Sequence, residues 1–257
     1  MGLWLPVLLY LAAATFLLGM GWRLATWLRT PAPLKIVLTP GPKTSAGVAR
    51  RLAEEMLGFR SLFNADRLFW IPAWFFHLSL VLLLAGHVGG LLIPQRAQAA
   101  LGLTEQQFEQ LAQVAGGAIG LLALVSVLAL LFRRLLGERP RAISTFSDFF
   151  ALGLLLLIIA TGNQMRFSSG FDLSQARQFV SGWLAFHPVP PPAAPMFAAH
   201  VLFISALLIY IPFSKLVHLG GATLFSPTLN QRNDPRERRH RNPWDTRPAN
   251  AHESSAP

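Results

Sequence analysis

The 257-residue sequence is 53% hydrophobic and only 13% charged; an average soluble domain is about 25% charged, so the apolar excess argues for a membrane protein. It contains no cysteine, which excludes disulfides, thiolate zinc sites, cysteine-ligated iron–sulfur clusters and haem attached through a CxxCH motif. The net charge of +10 would suit a nucleic-acid partner, but its distribution along the chain follows membrane topology instead.

Five spans are predicted, at about 3–24, 69–94, 114–136, 145–165 and 197–219, since a crossing helix needs about 20 mostly apolar residues. The first contains Ala12, Ala13 and Ala14, small residues of the kind a cleaved leader ends on. It lacks a positive n-region, however, and its apolar run is too long for one. With this span retained and the N-terminus periplasmic, nineteen of the 22 lysines and arginines fall in the inner segments 23–68, 133–144 and the tail from Lys215. Only Arg96, Arg166 and Arg177 fall outside. Every loop then obeys the positive-inside rule, and the C-terminus is cytoplasmic. The expected class is an all-α integral membrane protein of the bacterial inner membrane, a five-span helix bundle. Its parts are the first span (1–28), an inner loop (29–68), a four-span core (69–222) and a basic tail (223–257).

The inner loop begins with TPAPLKIVLTPGP, a Pro-rich connection. Val48, Leu52, Met56, Phe59 and Phe63 then recur at helical spacing, with Ser45 near the start as a cap. This predicts an amphipathic helix on the inner membrane surface or against a partner; a helix simply capping the bundle is the equal alternative. The outer loop 95–113 is short and polar. Outer loop 166–196 carries His187 before PVPPPAAP, a stiff extended stretch, and His187 reads as a surface histidine. The tail from Ser226 has no helical period and reads as disordered until bound or as a contact for anionic lipid. Trp244 within it suits a partner contact, and His240 and His252 are assigned no chemistry.

Four histidines stand inside two of the spans. IPAWFFHLSLVLLLAGHVGGLLIP carries His77 and His87, and MFAAHVLFISALLIYIPFSKLVHLGG carries His200 and His218. Ionisable residues at that depth are costly and mark a function by default. The two spans run in opposite directions, so His77 shares the inner leaflet with His218 and His87 the outer leaflet with His200. Along straight helices the first two would be about 15 Å apart and the second two about 27 Å apart. A large planar macrocycle tilted between the helices absorbs that offset, whereas a compact zinc or copper ion wants clustered ligands. At about 100° per residue, eighteen residues return His200 and His218 to one face, and ten leave His77 and His87 roughly 80° apart. Gly86, Gly89 and Gly90 remove side-chain bulk beside His87. Two b-type haems, each held by two histidines, satisfy this pattern, and such a haem has no open iron position, so its work is electron transfer.

The histidines ten apart, the GHVGG around His87, AGGAIG in the third span and HVLFISALLIYIPFSKLVH in the fifth resemble the gamma subunit (cytochrome b) of respiratory nitrate reductase. The resemblance covers about residues 60–220. The tail FSPTLNQRNDPRERRHRNPW is more similar to one branch, the M subunits of the membrane complex associated with dissimilatory sulfite reductase. The resemblance implies one haem ligated by His77 and His218, a second by His87 and His200, and an exchangeable quinone beside the outer haem. It also implies a cytoplasmic iron–sulfur partner, similar in the sulfur branch to the catalytic subunit of heterodisulfide reductase. Further implied companions are a second quinone-interacting membrane subunit and periplasmic cytochrome c and iron–sulfur subunits. Gamma subunits carry lysines in the outer loop before the third span, one of them linked with quinol. The stretch EQQFEQLAQ has none, so only His87, Gly86 and Gly90 are named as neighbours of a quinone site. Arg133 and Arg134 are candidates for haem propionates or plain inner-side anchors.

The predicted function is therefore an electron-transfer subunit joining the quinone pool to a cytoplasmic redox partner in sulfur metabolism. Alternatives are the cytochrome b anchor of a nitrate reductase-type complex and a haem-free transporter using the histidines as a proton relay.

Overall fold

The computed structural model describes residues 4–31, 41–92, 102, 104–168, 171–218 and 221. The described residues form helices and turns without strands. The chain divides into two compact units, residues 1–30 with 58–219 and residues 31–57 with 220–257. The Pro-rich start of the inner loop, the loop around 93–101 and the tail with His240, Trp244 and His252 lie outside the described residues.

In the first unit, α1 (Trp4–Arg29), α4 (Arg67–His87), α5 (Glu105–Leu136), α7 (Phe146–Phe167) and α9 (Pro195–Tyr210) are the long apolar helices. Among the described residues, five segments are long and apolar enough to cross a membrane: Trp4–Arg29, Arg67–Leu91, Gln113–Leu136, Phe146–Phe167 and Pro195–Phe213. Leu17, Leu18, Val81, Leu84 and Val125 are among the large apolar side chains left exposed on them, the arrangement that hydrocarbon solvates. Packing runs in a chain, α4 on α5, α5 on α7, α7 on α9 and α9 on α1. Phe76, Ala123, Val127 and Ile159 form one buried cluster, and Leu5, Ala176, Phe179, Phe197 and Val201 a second. Between α5 and α7 the close approach depends on Gly120, whose carbonyl accepts a 2.9 Å hydrogen bond from Asn163 Nδ2. A Cβ at Gly120 would collide with the Asn163 amide.

Four expectations change. The fifth span was expected as one helix over 197–219, but α9 stops at Tyr210 and continues as two tight turns, Ile211–Phe213 and Lys215–Val217. Pro212 supplies no N–H and its ring clashes with the preceding turn, and Ser214 is extended at φ −117° and ψ 176°. The third helix begins at Glu105 rather than 114, so EQQFEQLAQ is helical instead of loop. Thr104 Oγ1 accepts from Gln107 N while Gln107 Oε1 accepts from Thr104 N, a reciprocal cap. Outer loop 166–196 contains a helix, α8 (Leu173–Leu184); Ala176 and Phe179 are buried on its inner side. The fourth change is in the inner loop, where the stripe from Val48 to Phe63 is not one helix: α2 (Ser45–Gly58) ends and α3 (Arg60–Ala65) follows, with Phe59 between them at φ 50° and ψ 45°. A bulky residue in that left-handed region is strained.

The second unit holds most of α2. Thr44 Oγ1, one residue before Ser45, accepts from Gly47 N at 3.1 Å, and Arg50 pairs with Glu54 at 3.6 Å one turn on.

Candidate functional site

The four histidines come together as two pairs, three of them inside candidate spans and His218 five residues past the end of the fifth. The rings of His77 and His218 have centroids 5.8 Å apart with planes at 83°. Those of His87 and His200 are 6.4 Å apart and nearly parallel, at 10°. Among the described residues, α4 and α9 are not an extensively packed pair; the histidines are what face each other between them.

Local structure fixes each ring through the same atom. On α4, His77 Nδ1 lies 2.7 Å from Ala73 O and His87 Nδ1 lies 2.7 Å from Leu83 O, each the carbonyl one turn back. A carbonyl can only accept, so both Nδ1 atoms carry the proton and both Nε2 atoms keep a lone pair. His218 repeats this with Lys215 O at 3.2 Å. His200, buried at 9% exposure, differs: its Nδ1 meets a hydroxyl, Thr161 Oγ1 on α7, at 2.9 Å. Thr161 Oγ1 also lies 2.8 Å from Leu157 O and 3.0 Å from Ile158 O, to which its proton can be given. Its oxygen is then free to accept from His200.

These features fit a haem with two imidazole ligands. A metal–imidazole bond is about 2 Å, and the ring centre lies roughly 1 Å beyond the nitrogen. Two imidazoles on opposite sides of one iron therefore have centroids roughly 6 Å apart. Rotation about the metal–nitrogen bond leaves the angle between ring planes free. Among the described residues no group of three or more His, Cys, Asp or Glu side chains converges, so pairing is the arrangement offered.

The surroundings build from both ends. Phe59 and Phe76 present their rings perpendicular to His77 at 5.0 and 5.5 Å. Lys215 Nζ contacts both carboxylate oxygens of Asp148 at 3.1 Å, and Arg134 approaches the same carboxylate at 3.6 Å. Asp148 Oδ2 also accepts from Thr145 N and Thr145 Oγ1. The turn that presents His218 is thus tied to the start of α7. From the other side, Arg23 of α1 donates to Pro212 O at 2.9 Å, and a Cβ at Gly19 would meet the Pro212 ring at 2.8 Å. Arg133 is engaged by Asp66 at 3.0 Å and lies over the Phe69 ring at 3.9 Å. A hydrogen bond from Phe69 N holds the Asp66 carboxyl below its ordinary range, with the Arg133 guanidinium adding to the effect.

At the opposite end, His87 is followed by one π-helical turn, Val88–Leu92. A Cβ at Gly86, Gly89 or Gly90 would meet no protein atom within 4 Å. Gly90 O accepts from Arg177 Nε of α8 at 2.6 Å, so α8 is hydrogen-bonded to the turn beside His87. Tyr10 of α1 bonds Trp183 O at 2.6 Å and stacks on its ring at 5.3 Å. His187 is exposed. Sequence reasoning missed Thr161, Asp148 and Arg177; the Thr161–Gly162 pair inside an apolar run was the signal for the first.

A model of the nitrate reductase gamma subunit family matches residues 46–228. The chain is 34% identical to the Hdr-like menaquinol oxidoreductase cytochrome b-like subunit of Archaeoglobus fulgidus, over 92% of this chain and 81% of that one. The protein of the same description from Archaeoglobus profundus is 30% identical over 93% of this chain and 82% of its own length. The respiratory nitrate reductase 1 gamma chain of Escherichia coli is 30% identical over 82% of this chain and 86% of its own length. The chain belongs to the nitrate reductase gamma subunit family.

Proposed function

We propose that this chain is the membrane dihaem cytochrome b subunit of a respiratory complex, passing electrons between the menaquinone pool and a cytoplasmic, heterodisulfide reductase-like iron–sulfur subunit. The observation that carries this reading is the two pairs of facing imidazoles, one at the middle and one at the C-terminal end of α4, at 5.8 and 6.4 Å, with every Nδ1 engaged. His77 and His218 would hold the inner haem, and His87 and His200 the outer one. Haem held by two histidines would supply a one-electron relay rather than oxygen chemistry.

The protein's own part is to hold the four rings in one tautomer and orientation. The i−4 carbonyls of α4 do this for His77 and His87, the Lys215–Val217 turn for His218 and Thr161 for His200. Menaquinone as the partner substrate is supported by the names of the two Archaeoglobus relatives, menaquinol oxidoreductase subunits. His87, Gly86 and Gly90 are its neighbours in this proposal, at the end that α8 covers. The charge distribution supports a periplasmic N-terminus and a cytoplasmic side for the His77–His218 pair. The basic tail supports the sulfur-metabolism branch over the nitrate reductase type.

The test uses the purified complex and a reduced menaquinone analogue. Adding it under anaerobic conditions is expected to produce the b-type α band within the time of mixing. A chain that dithionite reduces but the quinol analogue does not would contradict the quinone half of the proposal.

A further inference from the structure

We propose that Thr161 is a positioning residue that sets the reduction potential of the haem held by His87 and His200, independently of the other haem. The inference rests on the dihaem reading given above. Its starting point is the one difference among the four rings. Three give their Nδ1 proton to a backbone carbonyl, which no substitution removes, while His200 gives it to a side-chain hydroxyl.

The hydroxyl has its own acceptors at Leu157 O and Ile158 O, so its proton is directed back along α7 and its lone pair is aimed at His200. This orientation selects the tautomer in which Nε2 is unprotonated and able to ligate iron. Gly162, the next residue, would place a Cβ 3.3 Å from His200 Cε1, so the ring lies close against α7 and has little freedom to find another partner. The site is buried, with Thr161 at 8% and His200 at 9% exposure, so water does not replace a lost acceptor cheaply.

Hydrogen bonding at the remote nitrogen raises the basicity of a metal-bound imidazole. A more basic ligand favours the ferric over the ferrous iron, and second-shell hydrogen bonding is one of the levers on haem potential. Reduction adds one electron from the mediator to ferric iron, giving ferrous iron without bond rearrangement. Removing the acceptor therefore eases that electron's entry at the outer pair alone.

The experiment is a mediated redox titration of the purified complex, following the b-type α band. The component missing in His87→Ala marks the outer haem. Thr161→Val should keep two haems and raise the reduced-to-oxidised ratio of that component roughly threefold to tenfold at a fixed potential, the worth of one hydrogen bond. The other component should stay in place, and Thr161→Ser should restore the wild-type titration. Two retained haems with neither component moved, both moved together, or no rescue by serine would overturn the proposal. If Thr161→Val binds only one haem, Thr161→Ser decides: a wild-type outer component supports the role and its absence overturns it. A wild-type complex without b-type haem would instead overturn the dihaem reading itself.

Discussion

At the scale of single residues, the site depends on small groups that let an imidazole lie where it does. Gly162 is the clearest. Alanine there would ordinarily favour the helix by about 1 kcal/mol, but its Cβ would stand 3.3 Å from His200 Cε1. His200 cannot retreat without stretching its 2.9 Å bond to Thr161. Gly162→Ala is therefore expected to leave folding intact while lowering haem content from two towards one per chain, read by pyridine haemochrome. Asp172 works at the same end of the molecule. It caps α8 through Ser174 and Gln175, and the Ser174 hydroxyl bond, with backbone bonds beside it, holds its carboxyl below the ordinary value of 3.8. A depressed carboxylate contributes stability that is present above 3.8 and lost as pH falls through the lowered value. Hydrogen exchange in α8, corrected for intrinsic rate, should therefore accelerate below about pH 4 while α5 and α7 do not follow. Asp172→Ala should remove that difference.

At the scale of elements, the decisive feature is the end of the fifth span. Counting α-helical residues from His200 to His218 put both on one continuous helix, whereas Pro212 and the extended Ser214 interrupt it. The 5.8 Å approach of His218 to His77 is made by the Lys215–Val217 turn, which Asp148 holds from α7, while Arg23 and Gly19 of α1 meet the Ile211–Phe213 turn before it. Asp148→Ala removes contacts to Lys215, Arg134 and Thr145 together. It is expected to cost about 1–2 kcal/mol and to lower the temperature at which the inner haem's Soret band is lost, with little change at the outer haem. The apolar lengths of the spans, and the alternation that levels His77 with His218 and His87 with His200, were legible because each depends only on composition and direction. The break at Pro212 was not, since proline is tolerated within membrane helices when neighbours satisfy the freed backbone. Helix α8 was hidden because its polar residues look like loop; Ala176 and Phe179 order it by burial against α1 and α9. Thr161 was hidden because one hydroxyl in an apolar run has no period to betray it; its pairing with Gly162 was the only cue.

At the scale of the whole molecule, a chain of helix packing from α4 through α5, α7 and α9 to α1 sets two antiparallel spans facing each other. Each end of that face carries one histidine from each side. The same frame separates two environments. Lysine and arginine contacts with Asp66 and Asp148 gather at the His77–His218 end, and α8 covers the end with His87. A relay between a membrane-soluble carrier and an aqueous partner needs that separation, with two stations spaced across the bilayer. The number and kind of those stations decide this reading. Its sharpest test is a dithionite-reduced minus oxidised spectrum of the purified chain, with pyridine-haemochrome quantification beside His77→Ala and His87→Ala. Two b-type haems per chain are expected, and one in each variant, with a different component lost in each. A wild-type chain without b-type haem, or variants that both retain two, would contradict it.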